Sequence, residues 1–290
     1  MSEAGPAPRP QLDLAFARRF DRTVLDRRLF RWPFALTRTF ALDRAPAHML
    51  TVIVQTSSGA LHGEDDLRQR LHVGPNAAAH VTTQGASPVH RADPDATARE
   101  HVAIRVEDGA YLEYMPEPRI LFPEAALAQT IEIDCAAGGF ALVCDGFTVH
   151  DPAGRGRGFR RLVSSMILRR GGGESAMVDR VDISSLGWGR AAEFKAFASL
   201  TLAAPGGAPG IAALADALTA RLASVPDLYG AASPLPAAAN GLGVRLAGRD
   251  LRAVRAGIAI AWSAARVEFH GAPPPSRRKA EEARCLPTDR

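Results

Sequence analysis

Apolar residues recur at every second position over much of this chain. In His101-Val102-Ala103-Ile104-Arg105-Val106 and in Gln129-Thr130-Ile131-Glu132-Ile133-Asp134 the alternation is regular, the period of a strand with one buried face and one wet face. Similar short segments, separated by Gly, Pro, Asp and Asn, run from about residue 12 to 205 and predict strands over 50–54, 67–73, 78–83, 101–106, 111–115, 130–134, 140–144, 159–168 and 197–202. The period then changes. Ile211, Leu214, Ala215, Leu218 and Leu222 share one helical face, introduced by Pro209-Gly210 and stopped before Pro226. A second helix is predicted over 251–266, with Asp250 as N-cap and Leu251, Val254, Ile258, Ala261, Trp262 and Ala265 as its apolar stripe. Between the helices, 231–240 reads as a Pro and Ala loop and 242–246 as one more strand.

An apolar strand end, a Gly-containing turn and a new strand recur as Val73-Gly74-Pro75-Asn76-Ala77, as Val106-Glu107-Asp108-Gly109-Ala110, and as Ile133-Asp134 through Gly138-Gly139-Phe140. A spacing close to thirty residues predicts two-stranded units stacked along an axis. The expected fold is therefore mainly β, an elongated β-helix or solenoid-like or stacked-sheet architecture with two C-terminal α-helices packed on it. It forms one domain over 12–271, preceded by a flexible segment at 1–11 and followed by a disordered, Pro-rich tail at 272–290.

The 47% hydrophobic and 23% charged fractions are those of a folded domain and exclude disorder for most of the chain. The N-terminus lacks the basic-then-apolar order of a secretory signal, and no uninterrupted apolar run approaches the roughly 20 residues that span a bilayer. A cytoplasmic protein without a membrane partner is expected. Cys135, Cys144 and Cys285 fit no disulfide or metal spacing. Arginine supplies 33 of the 35 basic residues and the net charge is only +4. The run from Gly154 to Arg161, with four arginines, has no aromatic platform beside it, so no nucleic-acid partner is expected.

Two groups of residues carry candidate chemistry. Glu64-Asp65-Asp66 follows Ser57-Ser58-Gly59 and His62-Gly63 in a loop between strands. Paired carboxylates of this kind serve acid/base hydrolysis in carbohydrate-active β-solenoids, and they also serve as ordinary turn chemistry. His62, His72, His80 and His90 flank the cluster. Were the turn at 74–76 to close a hairpin, His72 and His80 would face each other as a metal site. No Ser-centred elbow and no phosphate-binding loop is present.

The run Val73-Gly74-Pro75-Asn76-Ala77, then Thr82-Thr83-Gln84-Gly85-Ala86, then Asp108 through Phe122 with Gly109-Ala110-Tyr111-Leu112-Glu113 and Pro118-Arg119-Ile120-Leu121-Phe122 resembles the urease accessory protein D (UreD/UreH) family. Thr23-Val24-Leu25, Pro33-Phe34, the segment from Ser58-Gly59 through Gly63 to Asp65, Val244-Arg245-Leu246, and Trp262 with Arg266, Gly271, Pro275 and Arg277 extend the resemblance over nearly the whole chain. The resemblance implies a non-enzymatic scaffold that binds apo-urease and the accessory proteins F and G, the latter a GTPase that brings nickel. It also implies an internal route for transient Ni²⁺ passage with no tightly bound cofactor. Asp65 matches the family's loop aspartate, and Glu64, Thr82, Thr83, Gln84 and Ser87 are its carried-over neighbours for nickel passage or partner contact. The chain departs from the family pattern at Glu64, where Gly is usual, at Pro88 and His90, where Lys and Tyr are usual, and in 150–159, where a Glu is missing.

Overall fold

The structure, a computed structural model, describes residues 9–184, 193–208 and 210–275. Most of the N-terminal segment and of the tail, Cys285 included, lies outside the described residues; Gln11, within them, bonds through its side chain to the Asp66 carbonyl and the Arg68 amide.

Among the described residues, seventeen strands and two helices follow in the order β1 (Leu12–Arg19), β2 (Arg22–Phe30), β3 (Phe34–Phe40), β4 (Leu50–Thr56), β5 (Asp66–Val73), β6 (Ala78–Thr83), β7 (Pro88–Val89), β8 (Ala98–Val106), β9 (Tyr111–Met115), β10 (Arg119–Leu121), β11 (Ala126–Cys135), β12 (Phe140–Val149), β13 (Arg161–Arg170), β14 (Ser175–Ser184), β15 (Ala196–Ala203), α1 (Ile211–Ala223), β16 (Leu228–Pro234), β17 (Gly241–Gly248) and α2 (Leu251–His270). They build a seven-stranded sheet in the order β14-β13-β11-β8-β5-β1-β2 and a ten-stranded sheet whose main path is β16-β17-β15-β12-β9-β6-β4-β3, with β10 paired to β12 and β7 to β10.

The centre of each sheet is parallel. Successive coils lay β1, β5, β8, β11 and β13 side by side in one sheet and β4, β6, β9 and β12 in the other. Asp66, Arg99, Ala128 and Val163 sit abreast on consecutive strands, which is the repeat of about thirty residues read from the sequence. The recurrent Gly-containing motif is the corner at which the chain passes from one sheet to the other. There the turns stack: Asn76 N–H donates to the Asp108 carbonyl, Gly109 N–H to the Gly138 carbonyl, and Gly138 N–H to the Asp108 carboxylate. Gly109 has φ +68°, and a Cβ there would lie 2.3 Å from Asn76 Oδ1, so both the backbone and the stacking demand glycine.

Three layers result. Leu14, Leu71, Ile104, Leu112, Ile133 and Val143 belong to the core between the sheets. The outer face of the ten-stranded sheet packs Leu142, Leu200 and Leu246 against Leu218, Leu222, Val254 and Ala261 of the helices. α1 spans the residues its periodicity predicts. α2 runs one turn past the predicted Arg266, because Val267 to His270 continue the helix until Gly271, at φ 71°, ends it; only this helix is C-terminal. The predicted strand ranges leave out β1 to β3, β7, β10, β14 and β16, and the last two have an evident reason. β14 pairs with β13 although it exposes alternate residues, and β16 takes in the first half of the expected loop at 231–240, where Ala231 to Pro234 pair with β17.

The hairpin at 74–76 on which a His72–His80 pair depended does not form. β5 and β6 belong to different sheets, and the turn is a corner. His72 stands on the outer face of the seven-stranded sheet, bonded to Glu107 at 3.1 Å. His80 stands on the helix-covered face of the ten-stranded sheet, stacked on Trp262. The core separates them, so they form no pair.

Candidate functional site

The alternation that makes β5, β8 and β11 half-buried also carries polar residues inward. Gln69, Glu100 and Gln129 are buried in phase with Leu67 and Leu71, with Val102 and Ile104, and with Leu127 and Ile131. Tyr114 on β9, Arg119 on β10 and Asp145 on β12 meet them from the opposite sheet. Buried polar groups persist only when they are partnered, and these are. Gln69 Nε2 donates to Glu100 Oε1 at 2.8 Å, and Arg119 forms an ion pair with Glu100. Gln129, the register partner of Glu100, donates to Asp145 Oδ1 at 2.8 Å. Ser164 Oγ donates to Asp145 Oδ2 at 2.5 Å.

The electrostatics follow from this burial. Burial, reinforced by the Glu100 carboxylate, raises the Tyr114 phenol above its ordinary range, so it stays protonated. Burial opposes the charge on Arg119, but the Glu100 carboxylate outweighs it and raises the guanidinium pKa. Arg119 and Glu100 neutralise each other, and Asp145 is the carboxylate held by neutral donors.

Residues of this polar layer line two separate hollows. On one side is a cavity of about 220 Å³ lined by Thr82, Thr83, Gln84, Ser87, Gln69, Glu100, Tyr114 and Arg119, among others. Thr83 Oγ1 accepts from Glu117 N–H and donates to the Gly85 carbonyl, and Thr82 Oγ1 donates to the Met115 carbonyl, which ties this rim to the next coil. On the other side is a mostly apolar cleft of about 470 Å³, with Asp145 and Ser164 beside Phe147, Leu162, Val181 and Tyr229.

Of the residues picked out in the sequence, Thr82, Thr83, Gln84 and Ser87 share the cavity wall. Glu64, Asp65 and Asp66 do not line it. The Asp65 carboxylate accepts from His62 N–H at 2.8 Å while Asp65 N–H donates to the His62 carbonyl, so a β-turn over 62–65 is closed a second time by the side chain of its last residue. Asp66 pairs with Arg68 at 2.9 Å. Among the described residues no three His, Cys, Asp or Glu side chains converge as a metal centre would require. Sequence reasoning missed Gln69, Glu100, Arg119, Gln129 and Asp145; for Gln69, Glu100 and Gln129 the signal was a polar residue in phase with the apolar face of its strand. The arginine run also has local roles: Arg160 donates to the carbonyls of Ala92, Asp93 and Ala96, and Arg161 pairs with Asp182. No helix among the described residues is long and apolar enough to cross a membrane.

A coiled two-sheet scaffold with a helix pair on one face and a partnered polar layer at its centre is the class of protein that this fold defines. Comparison with known proteins gives the class its place. A family profile described as UreD urease accessory protein matches residues 9–281, and the chain belongs to that family. It is 52% identical over 257 residues to urease accessory protein UreD 2 of Bradyrhizobium sp. strain BTAi1, covering 89% of each chain. It is 33% identical over 279 residues to urease accessory protein UreD 1 of Methylorubrum extorquens strain PA1, covering 93% of this chain and 92% of the other.

Proposed function

We propose that this protein is a non-enzymatic scaffold for urease maturation, acting in the cytoplasm, which binds apo-urease and the accessory proteins F and G and passes Ni²⁺ between them through the space between its two sheets. The observation that carries the reading is the continuity of buried polar groups from the cavity at Thr82 and Ser87, past Glu100 and Gln129, to Asp145 and Ser164 at the cleft. A divalent ion in transit needs oxygen donors met in sequence, since several imidazoles or thiolates in one shell would hold it. The layer supplies amide, hydroxyl and carboxylate oxygens, with one carboxylate neutralised by Arg119 and the other held by Gln129 and Ser164.

Co-expression of the tagged chain with the urease subunits and proteins F and G tests the proposal. Recovery of the complex from wild type, Glu100→Gln and Asp145→Asn, together with lowered nickel-dependent urease activation in both variants, is the expected result. Wild-type activation by both variants, or no association of the wild-type chain with any of these proteins, overturns it.

A further inference from the structure

At the corner opposite the Gly turns, the coils stack through Leu61, Val89, Leu121 and Val149, which pair in parallel register. The residue after each stands in a column: His62, His90, Phe122 and His150. Successive ring centroids are 5.2, 5.1 and 5.0 Å apart. The backbone fixes the column, since His90 N–H donates to the Leu61 carbonyl, Phe122 N–H to Val89 and His150 N–H to Leu121. Gly63 seats the first rung: a Cβ there would fall 2.6 Å from Ala92 Cβ, so only glycine lets the 62–65 turn close onto the next coil.

His62 and His90 are therefore imidazoles on adjacent rungs, stacked at 23° between planes, the first exposed and the second half-buried. Neither ring is engaged by a hydrogen bond or ion pair among the described residues. Glu64, exposed in the same turn, adds negative charge nearby. Leu61 and Ser87, on the same two rungs, line the wall of the cavity, while the two histidines stand outside that lining.

We propose that His62 and His90 form a surface site for a borderline divalent cation of the nickel and zinc type, with water completing the coordination. Rotation of the two rings, a fast motion for surface side chains, turns one nitrogen of each toward a shared ion at about 2.0–2.1 Å. Imidazole nitrogen favours such ions over magnesium or calcium. Phe122 insulates His150, so the site has two protein ligands and exchanges its ion. The site shares its two rungs with Leu61 and Ser87 of the cavity wall, and only the idea that its ion goes on to the cavity rests on the function proposed above.

Phenylalanine already holds one rung of the column, so His62→Phe and His90→Phe remove the ligand and keep the stack. Equilibrium dialysis of the full chain, without partner proteins, against NiCl₂, ZnCl₂ or MgCl₂ tests the site. Wild type is expected to bind nickel and zinc in preference to magnesium. Each substitution is expected to weaken one site per chain by at least about tenfold, through loss of the second tethered donor, with His150→Phe binding as wild type and all variants melting alike. Unchanged nickel binding in the His62→Phe/His90→Phe double variant, or equal binding of magnesium, overturns the site. The Glu100→Gln activation assay reports on the interior route alone, so either idea can fail while the other stands.

Discussion

Arg266 near the end of α2 and Glu113 on β9 are 153 residues apart, and they meet with no solvent exposure on either side chain. Arg266 Nη2 donates to Glu113 Oε2 at 2.9 Å and Nε to Oε1, while Nη1 reaches Asp43 at 2.8 Å. His80 Nδ1–H donates to the same Glu113 at 2.6 Å. Removing the guanidinium strands two buried carboxylates. Arg266→Met is expected to destabilise the protein by about 3–5 kcal/mol, and adding Glu113→Gln to it is expected to recover part of that loss. Urea unfolding of the single and double variants measures both.

The same cluster sets an acid limit on stability. Burial alone would raise the Glu113 pKa, but the hydrogen bonds from His80 and Arg266 outweigh it and hold the carboxyl at about 2. A folded pKa below the ordinary 4.5 means the unfolded chain takes up the proton first. The stabilisation is thus complete above pH 4.5 and is lost as pH falls toward 2. His270 acts earlier in the titration: burial, then the nearby Arg266, lowers its pKa from 6.5 to about 4, so stability already falls as pH drops between those values. Thermal melts are expected to show Tm declining from about pH 6.5 downward, with the decline below pH 4.5 reduced in Glu113→Gln.

Gly109→Ala is expected to cost about 1–3 kcal/mol, because the residue has positive φ and a new Cβ would collide with Asn76 Oδ1. Gly59→Ala, also at positive φ but with nothing within 4 Å of its Cβ, is expected to cost less. Chemical denaturation of the two side by side separates backbone strain from broken stacking between coils.

Asp65→Ala is expected to lower stability by about 1 kcal/mol through loss of the bond from His62 N–H, and to leave urease activation within a small factor of wild type at a temperature where the variant is folded. Glu100→Gln is expected to show the opposite profile, with activation reduced more than stability. Parallel melting curves and activation assays check the pair.

The coils and their corners were legible because both depend on local chemistry: alternation in β8 and β11, and Gly at each turn. The residues at the interior were half legible. Thr82, Thr83, Gln84 and Ser87 came from a family resemblance, and all four line the cavity. Glu100 and Gln129 broke an otherwise apolar row, a pattern that marks a buried polar residue without naming its partner. Arg119 and Asp145 carried no such mark, since it is the coiling of the chain that brings them opposite Glu100 and Gln129. His72 and His80 were paired in error for a related reason: a turn of three residues looks the same whether it closes a hairpin or carries the chain to another layer.

A parallel coil has open ends, where unpaired N–H and C=O groups invite further strands. Here each end of the parallel run turns antiparallel: β2 and β3 close one side of the molecule, and β14 in one sheet and the series β15, β17 and β16 in the other close the opposite side. These strands act as end-stops, and a chain cut before β14 would leave β13 as a template for a second copy. Such a fragment should grow into fibres that stain as cross-β aggregates, whereas the full chain, with its last coil capped, stays a particle of finite length.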